Sequence, residues 1–119
     1  NYRLCPRERF PAPLIDCKRA IAWVREHVAT FGGDPSFIAV TGGSAGAHLA
    51  TLVALTANRP ELQPGFAAED TSVAACVPFY GVYDFLDREQ VRNDRGKMTE
   101  WLQAKVMPCE PRGDPQLWD

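Results

Sequence analysis

Hydrophobic positions along the chain fall into stretches with different periods. From Leu14 they recur at Cys17, Ile21, Val24 and Val28, steps of three and four residues that draw one stripe along a helix. Gly32 ends that helix, and Gly33-Asp34-Pro35-Ser36 supplies a turn. Phe37-Ile38-Ala39-Val40-Thr41 is instead a short, nearly continuous apolar run, the pattern of a strand covered on both faces. After a glycine-rich break, Ala47 to Ala57 is rich in Ala and Leu and free of breakers. It predicts a second helix, apolar nearly all round and therefore buried. Pro60 to Asp70 is a polar connection, and Ser72 to Tyr80 is a further apolar strand, ended by Pro78 and Gly81.

The two ends of the chain carry weaker patterns. Asn1 to Leu4 reads as the end of a strand closed by Cys5-Pro6, with Arg7 to Pro13 as a loop into the first helix. Asp87 to Lys97 is densely charged and predicts a solvated loop or a short exposed helix. Met98, Trp101, Leu102 and Val106 mark a modest amphipathic helix, and the tail from Pro108 to Asp119 contains three prolines. The order strand–helix–strand–helix–strand predicts an α/β fold, with three parallel strands joined by right-handed crossovers. Such a sheet leaves both edges unpaired, a liability that complete proteins avoid. With a first residue that is not Met, this makes residues 1–119 the expected central part of a longer domain.

Composition narrows the class. The chain has 119 residues, 45% of them hydrophobic, and a formal charge of −2, so it suits one globular domain and lacks the basic face that nucleic acid requires. No apolar run approaches the ~20 residues of a membrane-spanning helix, and no signal-peptide pattern opens the chain. Cys5, Cys17, Cys76 and Cys109 form no CxxC pair, and His27 and His48 complete no zinc spacing. No zinc site is therefore expected. Buried thiols in a reducing compartment, and hence a cytoplasmic location, are the expectation; a Cys5–Cys17 disulfide stays open as the alternative.

The chemistry centres on Gly42-Gly43-Ser44-Ala45-Gly46. The pattern Gly-x-Ser-x-Gly alone is weak, since a chain of this length shows it by chance roughly once in 25 cases. Its setting is what informs. It lies directly between an apolar strand and an Ala-rich helix, the strand–turn–helix context of a nucleophile elbow. The tight turn excludes bulk two residues either side of the serine, and Gly42 and Gly46 meet that need. The N–H of Ala45 falls at a helix N-terminus, where free donors and the dipole favour an oxyanion. The competing readings are an incidental N-cap serine and a phosphate-binding turn. Neither G-x-G-x-x-G nor G-x-x-x-x-G-K-[ST] occurs, which removes the second.

Asn1-Tyr2-Arg3-Leu4-Cys5-Pro6, then Phe10-Pro11-Ala12-Pro13 and Asp16, resembles a stretch of hormone-sensitive-lipase-like esterases. Ala22-Trp23-Val24-Arg25 with Phe31-Gly32-Gly33-Asp34-Pro35 fits the same family, and type B carboxylesterases have a similar run. Gly42 to Ala50 looks like the elbow and the first turns of its helix. The likeness is specific over residues 1–58, fair over 71–85 and thin afterwards. Arg7 departs from it, standing where these esterases usually carry an acidic residue. The resemblance implies an α/β-hydrolase fold and hydrolysis of small carboxylic esters through a Ser-His-Asp triad, with no metal or cofactor. It also implies a His-Gly-Gly-Gly-type oxyanion loop ahead of residue 1, and a triad acid and histidine beyond Asp119.

Residues within the chain compete for those roles less well. His48, four residues after Ser44, reads as a packing histidine, because the helix leaves the elbow beneath the sheet. His27 reads as a half-exposed residue near a helix C-terminus. Asp84 follows the last strand at its C-terminal end, where active sites gather in open parallel sheets; it is a minor candidate for the acid and otherwise a turn-capping residue at the pocket rim. Asp16 is expected to pair with Arg3, and Phe85 and Trp101 to line an acyl pocket or to be core. Two other functions stay open: amide or peptide hydrolysis on the same elbow, and a non-catalytic small-molecule receptor that lacks the triad histidine.

Overall fold

The computed structural model describes residues 1–92, 94–110, 112–114 and 116. Three helices and two strands carry the architecture. Helix α1 spans Ala12–His27, strand β1 Ala39–Gly43, helix α2 Ala45–Leu55, strand β2 Ala75–Phe79 and helix α3 Lys97–Lys105. β1 and β2 pair in parallel, with Ala39 opposite Ala75 and Gly43 opposite Phe79. α2 is the crossover between them and lies on both strands, and α1 packs on α2 rather than on the sheet.

The sheet has two strands, not the three expected. Asn1 to Leu4 has no strand partner, because its backbone groups are engaged elsewhere. The Arg3 N–H donates to Asp16 Oδ2 at 2.8 Å, and the Leu4 carbonyl accepts from Glu8 N at 3.1 Å, closing a local turn. A strand needs those groups for a neighbour's ladder. The Arg3 guanidinium completes the clamp with bonds of 2.8 Å to each Asp16 oxygen. The expected Arg3–Asp16 pair is thus present, and it fixes the chain's start on α1.

α1 begins two residues before its stripe, with Pro13 in its first turn, where the missing N–H removes no helical bond. Its main helix ends at His27, a single 3-10 turn follows, and Gly32 stops it at φ 82°, a left-handed value that favours glycine. The buried face is Pro13, Leu14, Lys18 and Ala22, rotated slightly from the apolar stripe. Leu14, Leu49 and Val53 form the centre of the main core, with Cys17, Ile21, Leu52, Leu62 and Val73 around them. Burying each such leucine or valine is worth about 1.5–3 kcal/mol. A second cluster seats Leu102 and Met107 of the α3 region against Phe85, Leu86 and Met98, and Phe10 touches both clusters.

Polar anchors hold the connections. Arg25 of α1 donates to the carbonyls of Pro35, Ser72 and Asp70, tying the turn before β1 to the segment before β2. Thr71 and Gln63 are both fully buried and satisfy each other at 2.7 Å, while Asn58 Oδ1 accepts from Thr71 N at 2.7 Å. Arg9 donates to the carbonyls of Ala104 and Met107, capping the end of α3. Residues 87–92 and 94–96 carry no helix, the solvated-loop alternative. The four cysteines are free thiols. Pro111, Pro115 and residues 117–119 of the tail lie outside the described residues.

Candidate active site

β1 runs straight into α2 with one residue between them, and that residue is Ser44. Its φ is 54° and its ψ is −120°, a combination that costs a non-glycine residue about 1–3 kcal/mol. Two bonds hold it there: Ser44 N donates to the Phe79 carbonyl at the end of β2, and the Ser44 carbonyl accepts from His48 N, each at 3.1 Å. The side chain makes no cap bond to α2, which separates it from an ordinary N-cap serine. Ser44 is exposed.

The glycines around it divide by cause. A Cβ on Gly42 would lie 2.5 Å from the Gly46 carbonyl carbon and oxygen, so the first turn of α2 fills the place of a side chain. A Cβ on Gly43 would lie 2.6 Å from the Tyr80 hydroxyl. A Cβ on Gly46 would meet nothing within 4 Å. Close approach therefore demands glycine at Gly42, while the exposed Tyr80 hydroxyl facing Gly43 is free to move. At Gly46 neither space nor a positive φ requires glycine, contrary to the expectation for that position. Ala45 is the first residue of α2, so its N–H has no partner within the helix.

Ser44 and Ala45 line a cavity of about 730 Å³. Its walls are mainly apolar: Phe10, Leu49, Val82, Phe85, Met98, Trp101 and Leu102, with Arg3, Asp94 and Lys97 also present. α3 supplies one wall and the segment after β2 another. Phe85 and Trp101 are thus lining residues of this cavity, the pocket alternative to a plain core role.

His48 packs as its sequence position suggests, and it also lines the same cavity. One helical turn after Ser44 brings it back to the Ser44 side. It is half-buried; its Nδ1–H donates to the Val82 carbonyl at 2.9 Å, and its ring stacks on Phe85 with centroids 4.8 Å apart. Burial lowers its pKa, and the Val82 bond opposes that shift. His27 is not among the cavity-lining residues; it stacks on Trp23 at 4.6 Å and donates to the Trp23 carbonyl. Asp84 is not among the lining residues either. Its carboxylate accepts from Leu86 N at 3.1 Å and Arg88 N at 2.7 Å and faces the Arg88 guanidinium at 3.9 Å, the arrangement of a turn cap.

Lys18 has no signal in the apolar pattern, yet it is fully buried. Its Nζ donates to the Thr56 carbonyl and approaches Thr56 Oγ1, and burial lowers its pKa. It serves the end of α2, away from the cavity. Among the described residues no cluster of His, Cys, Asp or Glu has the make-up of a metal site, and no helix is long and apolar enough to cross a membrane.

Comparison with known proteins gives one family. Residues 1–116 match the BD-FAE family. Esterase LipQ of Mycobacterium tuberculosis is 60% identical over 118 residues, covering 99% of this chain and 27% of that protein. The probable carboxylic ester hydrolase LipM of the same organism is 62% identical over 85 residues, covering 71% of this chain and 20% of that protein. The chain thus spans about a quarter of the length of these relatives. Among solved structures, an acetyl ester-xyloside bifunctional hydrolase from Caldicellulosiruptor lactoaceticus aligns with a TM-score of 0.63 and 33% identity, over 82% of this chain and 36% of its own. A truncated carbohydrate esterase from gut microbiota aligns at 0.62 and 28% identity, over 71% of this chain and 34% of its own.

Proposed function

Because the chain belongs to the BD-FAE family and its relatives are esterases, we propose that it carries the nucleophile of a serine-dependent carboxylic ester hydrolase, Ser44. The observation that supports this best is the backbone of Ser44. It is strained, uncapped and exposed at the mouth of an apolar cavity. An incidental serine has no reason to hold φ 54° where glycine would relax it.

In the proposed reaction Ser44 Oγ attacks the acyl carbonyl carbon, and the Ala45 N–H donates to the oxygen that becomes negative. The Ser44 proton passes to a histidine and from there to the departing alcohol. Water then releases the acid from the acyl-enzyme by the same steps. We assign that histidine and its acid partner to residues outside 1–119. His48 Nδ1 bonds the Val82 carbonyl rather than a carboxylate, His27 is not among the cavity-lining residues, and Asp84 is taken up by its own turn. The substrate is a small-molecule ester whose acyl chain enters the cavity between Phe85 and Trp101.

In the full-length protein, Ser44→Ala should lower turnover of p-nitrophenyl esters by about 10⁴-fold or more, with the circular dichroism spectrum unchanged. The wild type should also be labelled covalently at Ser44 by a fluorophosphonate. Esterase activity persisting in the variant would overturn the assignment. Faster cleavage of acyl anilides than of matched esters would move the reaction to amides.

A further inference from the structure

We infer that His48 is a positioning residue, a latch that fixes the wall of the acyl cavity to the helix carrying Ser44, and this rests on the cavity's being the acyl site. Two separate contacts compose the latch: the Nδ1–H bond to the Val82 carbonyl at 2.9 Å and the stack on Phe85 at 4.8 Å. Both partners belong to the segment that follows β2, which has no regular structure of its own from residue 81 to residue 92. The tie continues outward. The Phe85 carbonyl accepts from Thr99 Oγ1 of α3 at 2.7 Å and from Arg92 Nη2 at 3.3 Å. A line of contacts therefore runs from the first turn of α2 through His48 and Phe85 to the helix that presents Met98 and Trp101 to the cavity.

The alternatives for His48 fit less well. The Nδ1–H bond fixes the ring tautomer, but its partner is the Val82 carbonyl and not the carboxylate that completes a Ser-His-Asp triad. A plain core histidine would not line the same cavity as the nucleophile. The latch predicts which substrates suffer when it is cut. An acetyl group barely reaches the wall, whereas a hexanoyl chain lies against it.

The test uses the full-length protein with His48→Ala, His48→Asn and His48→Phe. Asn retains an N–H donor near the position of Nδ1, and Phe retains only the ring. Under the proposal, the ratio of kcat/KM for p-nitrophenyl hexanoate to that for the acetate falls by about tenfold in the Ala variant, which loses both contacts, the factor that one hydrogen bond supplies at the upper end of its range. The loss resides in KM, and the Asn and Phe variants, each keeping one contact, recover part of it. Affinity for hexanoate itself, titrated by calorimetry with acetate as the control, should fall in the same order. That binding readout needs no turnover. A wild type that hydrolyses nothing and escapes fluorophosphonate labelling would sink the esterase reading, while the hexanoate series would still decide the latch. An unchanged ratio and unchanged hexanoate affinity in His48→Ala overturn the latch. A fall of kcat equal for both esters, unrelieved by Asn, overturns it in favour of a role at the reacting atoms.

Discussion

At the residue scale, Ser44 is where local preference and native conformation disagree. The motif identifies the serine, and its strand–helix setting identifies the turn, but the dihedral angles are visible only in the fold. They make a prediction that separates catalysis from stability. Ser44→Ala keeps the strain, since alanine dislikes φ 54°, ψ −120° as serine does. Ser44→Gly removes it, while making the unfolded chain more flexible by about 0.5–1 kcal/mol. With roughly 1–3 kcal/mol of strain released, glycine should be the more stable of two inactive variants, by about 1 kcal/mol in urea denaturation. Equal midpoints would mean that the turn stores no more strain than the roughly 0.5–1 kcal/mol that glycine's unfolded-state flexibility costs. The neighbouring residues were legible to different degrees. The need for glycine at Gly42 follows from the tight turn, whereas the open space at Gly46 does not. His48 packs on Phe85 and bonds the Val82 carbonyl, the packing role its sequence position suggests, whereas its place on the cavity lining is visible only in the fold.

At the element scale, the helices were readable because their apolar periods are long and regular, and what escaped was polar. Lys18 sits on the buried face of α1 because a carbonyl at Thr56, thirty-eight residues on, waits for it. No local pattern records so distant a partner. The expected first strand failed for the same reason, since Asp16 captures Arg3 from a helix thirteen residues away. That capture has a pH signature. The Arg3 guanidinium, bonded to Asp16, lowers the Asp16 pKa, with the carboxylate's partial burial opposing it. A group whose pKa falls on folding stabilises the fold above its unfolded value of about 3.9 and loses that contribution as pH drops through the lower, folded value. Asp16→Asn should therefore reduce the urea midpoint at neutral pH, and the difference from wild type should close on the acid side of about pH 4. A difference that persists undiminished in acid would assign the effect to something other than the clamp.

At the scale of the whole molecule, the sheet is only half covered. α2 lies on one face, while on the other Val77 and Phe79 remain more than half exposed, as does Phe37 just before β1. Among the described residues the two strands also leave both edges unpaired, and their N–H and C=O groups invite pairing with another chain. The two-strand order reflects what 119 residues hold, and the comparisons place that span at about a quarter of its relatives' lengths. Apolar area of this kind, with open edges beside it, is an association surface. Residues 1–119 expressed alone should bind the dye ANS and elute in size-exclusion chromatography at masses that rise with concentration. Phe79→Thr combined with Val77→Thr should weaken both effects while preserving α1 on α2, because neither residue belongs to the Leu14–Leu49–Val53 core. The same preparation should show no esterase activity, since neither histidine stands as a base. A monodisperse, dye-silent monomer would mean that this sheet face needs no cover, and turnover of esters by residues 1–119 would return His48 to the role of proton acceptor.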